Sequence, residues 1–412
     1  CAPPPLPPPP LPPASPPPPS SLRPPPALSC MAEALSGAAL DAYVWCAVQD
    51  VQVVDVHTHL LPPTHGQQLL WGIDEMLCYH YLVAELFMLL PVESELDSVE
   101  ADARAPRPPS HDEFFTWPKT RQADLVFEEL FVKRTPLSEA CRGVITALNC
   151  LGLGDMLRDA VQANMSATLG TRLAPIRAWF AQQEPEAHLK HVFASAGVRY
   201  AVMTNIPFAP DEAAFWTAPG SACDTVTLSP LLRTALRVDP ILSGDWGAIC
   251  AALDQAVPPD GLHYARTIDG CLRYLNDWVD AIQPLYLMAS TPAGFRYEPV
   301  RGGGRPACPA KAQGSGEPAV PTATELLDSV VLKLAAQRSL PIALKVGAVR
   351  GANKALRTGG DGVEVADLGF LWQLCRDYPH VKFLATVLSV DNQHELCVMA
   401  RKFGNLHVYG CW

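Results

Sequence analysis

From residue 198 onward, short runs of β-branched and apolar residues alternate with stretches of helical periodicity, and few folds accommodate that rhythm. The predicted strands are Gln52 to His59, Val198 to Asn205, Thr234 to Asp239, Leu285 to Ser290, Pro341 to Ala348, Lys382 to Ser389 and Leu406 to Cys411. Helical patterns separate the later ones, at Thr324 to Ser339, Val365 to Tyr378 and Asn392 to Phe403, the last with Asp391 as its expected N-cap. Such alternation means parallel strands covered by helices, which a doubly wound sheet or a barrel both satisfy. Seven strands are counted before the sequence stops at Trp412, and eight close a barrel. The simplest reading is an α/β fold of the TIM-like (β/α)8 class whose eighth βα unit is missing.

The organisation predicted around that frame has four parts. Residues 1–45 make a Pro-rich tail and short lead-in; 16 of the first 30 residues are proline, which favours an extended, unpacked chain. Residues 46–412 make the incomplete barrel. Within it, residues 61–196 form a helical insertion after the first strand, and residues 300–322, rich in Gly, Pro and Ala, form a loop without periodicity. Met31 is a plausible start, and the proline segment lacks the apolar stretch of a signal peptide.

Charge and cysteine content narrow the function classes. A net charge of −11 argues against nucleic acid or an anionic membrane as partner. The most apolar stretch, Leu82 to Leu90, is short and interrupted by Glu85, so no membrane span is expected. Thirteen cysteines are an odd number, no C-x-x-C pair occurs, and Cys271 and Cys397 sit in apolar runs. Free thiols in a reducing compartment follow, with the cytoplasm as the default and a plastid as the alternative if residues 1–30 belong to a longer transit peptide. The oligomeric state, a homo-oligomer included, is left open.

The residues that carry chemistry cluster at strand ends. In His57-Thr58-His59 the two imidazoles point to one side of a strand, and at the C-terminal end of a barrel strand that side faces the site. Two such nitrogens suit one divalent metal, with Asp55 on the same face to orient them. Against this, 11 histidines make a chance H-x-H unremarkable. Lys345 interrupts the apolar strand Ala343 to Ala348, where its charge must be paired, shed or used; a lysine snorkelling from a strand end is the plainer account. Arg237, in Arg237-Val238-Asp239, has the donor fork for a carboxylate, or a structural partner in Asp239. Arg350 and Asn353 follow a glycine turn, placed for sugar hydroxyls or simply solvated. Tyr81 and His80 lie in a mostly apolar helix, where core packing is the default. No G-x-S-x-G elbow, P-loop or dinucleotide glycine fingerprint is present.

Together these motifs resemble the uronate isomerases. His57-Thr-His59, Tyr79-His80-Tyr81, Leu236-Arg237-Val238-Asp239-Pro240, Lys345-Val-Gly-Ala-Val-Arg350 with Asn353, Asn392 through Phe403 and Gly410-Cys411-Trp412 occur in the family's order. The resemblance implies an amidohydrolase-type barrel, an aldose–ketose isomerisation of D-glucuronate or D-galacturonate, and one divalent metal, usually zinc, on His57 and His59. It also implies a sugar acid as partner, with Tyr81 near the reacting carbons and Arg237 on the uronate. Lys345 stands where well-known members carry a His, and Thr204-Asn205-Ile206-Pro207 lacks the family's acidic pair. The family's general base follows strand eight, so this length of chain is expected to be inactive. A metal hydrolase or lactonase on the same barrel, with Lys345 carbamylated between two metals, and an inactive homologue are the alternatives.

Overall fold

The computed structural model of the protein describes residues 37–61, 72–90, 107–163, 171–217, 229–297 and 320–410. The predicted proline segment at residues 1–30 and nearly all of the loop at 300–322 lie outside them. The chain divides into two units, Cys1–Gln52 and Val53–Trp412. In the first, the described structure is the helix Gly37–Gln49, none of whose residues is buried.

The second unit carries the strand series. Its strands are β1 (Val53–Thr58), β2 (Val198–Asn205), β3 (Leu232–Arg237), β4 (Leu287–Pro292), β5 (Ile342–Val349), β6 (Gly362–Val363), β7 (Phe383–Val387) and β8 (Leu406–Val408). They form one sheet in the order β1-β2-β3-β4-β5-β7-β8, all parallel, with β6 attached antiparallel to β5. The seven predicted strands are thus the seven parallel ones; the two-residue β6 has no periodicity to announce it. The described residues between β1 and β2 are mostly helical, and helical crossovers separate most later strands, as parallel pairing requires.

Two layers of side chains explain why these strands hold together. Facing the helices, Leu236, Leu287, Leu344, Val346, Phe383 and Ala385 join the main core. The helix Ile268–Ile282 meets them with Cys271, Leu275, Trp278 and Ile282, spaced one helical stripe apart. Its Thr267 cap accepts from the Gly270 N–H at 3.1 Å, and Gln283 stops it in a left-handed conformation at φ 47°. Burying each such large side chain contributes about 1.5–3 kcal/mol. On the opposite face Val202, Ala235, Met288 and Ala343 make a second, smaller cluster with Leu384 and Tyr286.

That second face is the inside of a curl. The Tyr286 hydroxyl, just before β4, donates to the Val56 carbonyl of β1, and Lys345 of β5 meets His57 of β1. Strands so far apart in the sheet order touch only if the sheet bends round upon itself. The architecture is a parallel α/β sheet forming a half-barrel.

Two local expectations change. Asp391 does not cap the last helix, Gln393–Ala400; a short turn precedes it, capped by Ser389, whose hydroxyl accepts from the Asp391 N–H at 3.3 Å. Asn392 instead clamps Ala366, accepting from its N–H at 2.8 Å and donating to its carbonyl at 2.9 Å. Cys397 is exposed on that helix, whereas Cys271 is buried as expected, its thiol pushed up to about 12 by burial. All eight cysteines among the described residues are free thiols. No helix among them is long and apolar enough to cross a membrane.

Candidate functional site at the C-terminal ends of the strands

The interior cluster ends one step short of the strand ends. Residues two further along each strand point the same way, and there the side chains become polar: Thr204 after Val202, Arg237 after Ala235, Ser290 after Met288, Lys345 after Ala343 and Thr386 after Leu384. Ser290, Lys345 and Thr386 are register neighbours on β4, β5 and β7. A polar layer therefore lies on an apolar floor, at the end where parallel α/β folds place their sites.

The centre of this layer is a contact between Lys345 Nζ and His57 Nε2 at 3.2 Å. Lys345 is 7% exposed, so the snorkelling account does not apply. His59 follows β1, its ring set edge-on to that of His57 with centroids 5.0 Å apart. Burial, then the Lys345 charge, lowers His57 to about 3; burial, then the Arg237 charge, lowers His59 to about 4. Both are neutral imidazoles at neutral pH. Asp55 does not orient either ring through a hydrogen bond of its own: its Oδ1 accepts from the His57 backbone N–H at 3.0 Å.

A second group surrounds Asp239. Arg237 donates to Asp239 Oδ2 at 2.7 Å, and Arg350 reaches the same oxygen at 3.3 Å. Both also approach the Ser290 hydroxyl, at 3.3 and 3.0 Å. Asp239 Oδ1 accepts from the Ser290 N–H at 2.9 Å, which ties β3 to β4. Burial works to raise the Asp239 carboxyl, but the hydrogen bond and charge of Arg237 hold it below the usual range. Asp361, at the foot of β6, receives the other end of Arg350 and accepts from the Gly351 N–H at 2.9 Å. The structural Arg237–Asp239 pair is present, and a second guanidinium, that of Arg350, converges on the same acid.

The remaining predicted residues lie further out. Tyr81 is exposed on the helix His80–Leu89, its ring tilted against that of His80 with centroids 4.3 Å apart. His80 lies close enough to His59 for its charge to be felt there. Asn353 is exposed and caps the turn Lys354–Gly360, its side chain accepting from the Ala355 N–H at 3.2 Å.

Three residues escaped the sequence reading. Ser290 was legible in principle, two positions after Met288 on the inward face. Thr386 follows the same rule. Glu212 carried no signal: it lies in the helix Pro210–Thr217, beyond the end of β2, buried and accepting from the Ile206 N–H at 3.0 Å. Burial pushes its carboxyl up to about 7, against the pull of that N–H and of Arg237.

The donor set does not fit a resident divalent metal. Among the described residues no three His, Cys, Asp or Glu side chains converge, and Lys345 Nζ stands 3.2 Å from His57 Nε2, where a metal on that nitrogen would sit. His57 Nδ1 is buried without a hydrogen-bond partner, where metal-bound imidazoles are normally fixed by one.

No family model and no curated protein matches the chain. Among solved structures, a uronate isomerase from Bacillus halodurans C-125 is 34% identical, with a TM-score of 0.72, covering 92% of this chain and 77% of that one. A uronate isomerase from Thermotoga maritima, 13% identical over 90% of this chain and 78% of that one, has a TM-score of 0.52. A glucuronate isomerase from Caulobacter crescentus, 14% identical over 90% and 75%, has a TM-score of 0.55. These last two share the fold. The first, at its identity and extent, carries more: this chain belongs to the uronate isomerase family.

Proposed function

We propose that the protein interconverts an aldose and a ketose uronate, D-glucuronate with D-fructuronate or D-galacturonate with D-tagaturonate, on a (β/α)8 barrel of the amidohydrolase type. The observation that carries this reading is the pairing of two guanidinium groups, Arg237 and Arg350, with a buried ammonium, Lys345, along one polar layer. A uronate offers a matching pair of features: a carboxylate at one end and a carbonyl at the other.

In the open-chain sugar, the arginines hold the carboxylate through charge-assisted hydrogen bonds. Lys345 donates to the carbonyl oxygen, lowering the barrier to removing the proton on C2. That proton returns to C1 and the hydroxyl proton moves from O2 to O1, so the enediol collapses to the ketose without any oxidant. Glu212, with its raised pKa, is matched to carrying a proton near neutral pH. Tyr81 and Asn353 border this region as contacts for sugar hydroxyls.

The test is incubation with each uronate in heavy water, followed by NMR for ketose and for deuterium at C1, alongside thermal-shift binding. Ketose formation from either sugar supports the reading and overturns the expectation, drawn from the sequence, that this length of chain is inactive. Binding without turnover selects the inactive-homologue reading instead, and neither binding nor turnover removes the function altogether. No specific observation favours the hydrolase alternative.

A further inference from the structure

We propose that Lys345 itself supplies the positive charge at the centre of the site, in the place a divalent metal would take on His57 and His59. What that charge acts on rests on the uronate isomerase reading; that it displaces a metal rests on the geometry of this chain.

An imidazole nitrogen has one lone pair in the ring plane. A zinc ion would use that of His57 Nε2 at roughly 2.0–2.1 Å. Lys345 Nζ already lies 3.2 Å from the same nitrogen, within hydrogen-bond reach. A metal and an ammonium cannot share that position: either the lysine withdraws or the metal stays out. Withdrawal is opposed by the strand. Lys345 is the fourth residue of β5, in register with Ser290 on one side and Thr386 on the other, and its neighbours Leu344 and Val346 are buried in the main core.

The surrounding charges point the same way. Asp239, whose charge is felt at His57, is already shared by Arg237 and Arg350. A dication would enter a site holding an ammonium and two guanidinium groups, with the Asp239 carboxylate committed. Among the described residues, no third His, Cys, Asp or Glu joins His57 and His59 as a metal ligand. The ammonium needs none of them, and its contact with His57 holds it at the strand ends. On the sugar it holds the carbonyl oxygen by hydrogen bonding while the proton moves from C2 to C1, and it ends the cycle with the protons it began with.

The experiment is a zinc titration of the chelator-treated chain, by calorimetry and elemental analysis, on wild type, Lys345→Met, Lys345→His and the double variant His57→Ala/Lys345→His. The wild type is expected to take up no stoichiometric zinc. Lys345→His, which sets a third imidazole beside the other two, is expected to bind one zinc about 100-fold or more tighter than wild type, with the gain lost in the double variant. A wild-type chain that binds one zinc and loses it on His57→Ala overturns the inference. So does a titration in which neither Lys345→Met nor Lys345→His binds more tightly than wild type, since the ammonium is then not what excludes the metal. The function is tested apart: absence of uronate turnover and binding with the expected zinc behaviour defeats the isomerase reading alone, whereas zinc-dependent turnover defeats the Lys345 inference alone.

Discussion

Arg237 and Arg350 donate to the same oxygen of Asp239, although they stand 113 positions apart in the sequence (350 − 237). One carboxylate thus holds two guanidinium groups side by side at the mouth of the half-barrel. Like charges so close repel unless an acid stands between them, and the shared Asp239 leaves each fork with further N–H groups to offer.

The two arginines are expected to differ in weight. Arg237 has 14% of its side chain exposed and Arg350 54%, so solvent screens the second more strongly. Arg237→Lys, which keeps charge and removes the fork, should raise KM for the uronate by about 10- to 100-fold, and Arg350→Lys by about 10-fold or less. Steady-state kinetics on both variants checks this through KM at little-changed kcat. An equal effect would mean the forks act as one unit.

Lys345→Met should lower kcat by about 100- to 1,000-fold, the usual result of removing one electrophilic donor, with a smaller change in KM. Thermal stability should hold or rise, because a buried cation is replaced by an apolar chain of similar length. Kinetics and a melting curve on one preparation separate these outcomes. A loss carried by KM alone would make Lys345 a ground-state binding residue.

Glu212 makes stability depend on pH. Its folded pKa is about 7 against an ordinary 4.5, so between those values the native chain keeps a proton that the unfolded chain has released. Stability therefore falls as pH rises through that window, by up to about 3 kcal/mol. Glu212→Gln should flatten that fall. Denaturant unfolding of both proteins between about pH 4.5 and 7.5 reads it directly; parallel curves for the two would place the titration elsewhere.

Gly347 sits between Lys345 and Arg350 with φ +100°, and a Cβ there would lie 2.8 Å from the Glu364 carbonyl oxygen. Gly347→Ala should cost about 1–3 kcal/mol of stability through backbone strain. Activity should fall with it, because β5 must shift between the two functional residues. A variant as stable and active as wild type would show that the Glu364 segment yields freely.

Much of this site could be read along the strands. Apolar alternation marks the strands, two-residue spacing puts Arg237 and Lys345 on the inward face, and His57-Thr58-His59 ends the first of them. The boundaries drift by a residue or two: Asp239 leaves β3 to open the helix Asp239–Ser243, since Pro240 has no N–H to offer a ladder. Asp391 looked like a cap because its type and position suit one, but the hydroxyl two residues earlier reached the free N–H instead.

What the sequence determined by itself is therefore local: which residues are strands, which face each side chain takes, and which chemistry-bearing groups arrive at the strand ends. The tertiary structure decided who meets whom. His57 and Lys345 are 288 residues apart, and no periodicity relates them. They touch because the sheet curls until its first and fifth strands face each other, a consequence of twist accumulated over every strand between. The same curl decides that the imidazole meets an ammonium, and that one half-buried aspartate serves an arginine at the end of β3 and another just after β5. Glu212, buried beyond the end of β2, owes its raised pKa to surroundings that only the folded chain assembles.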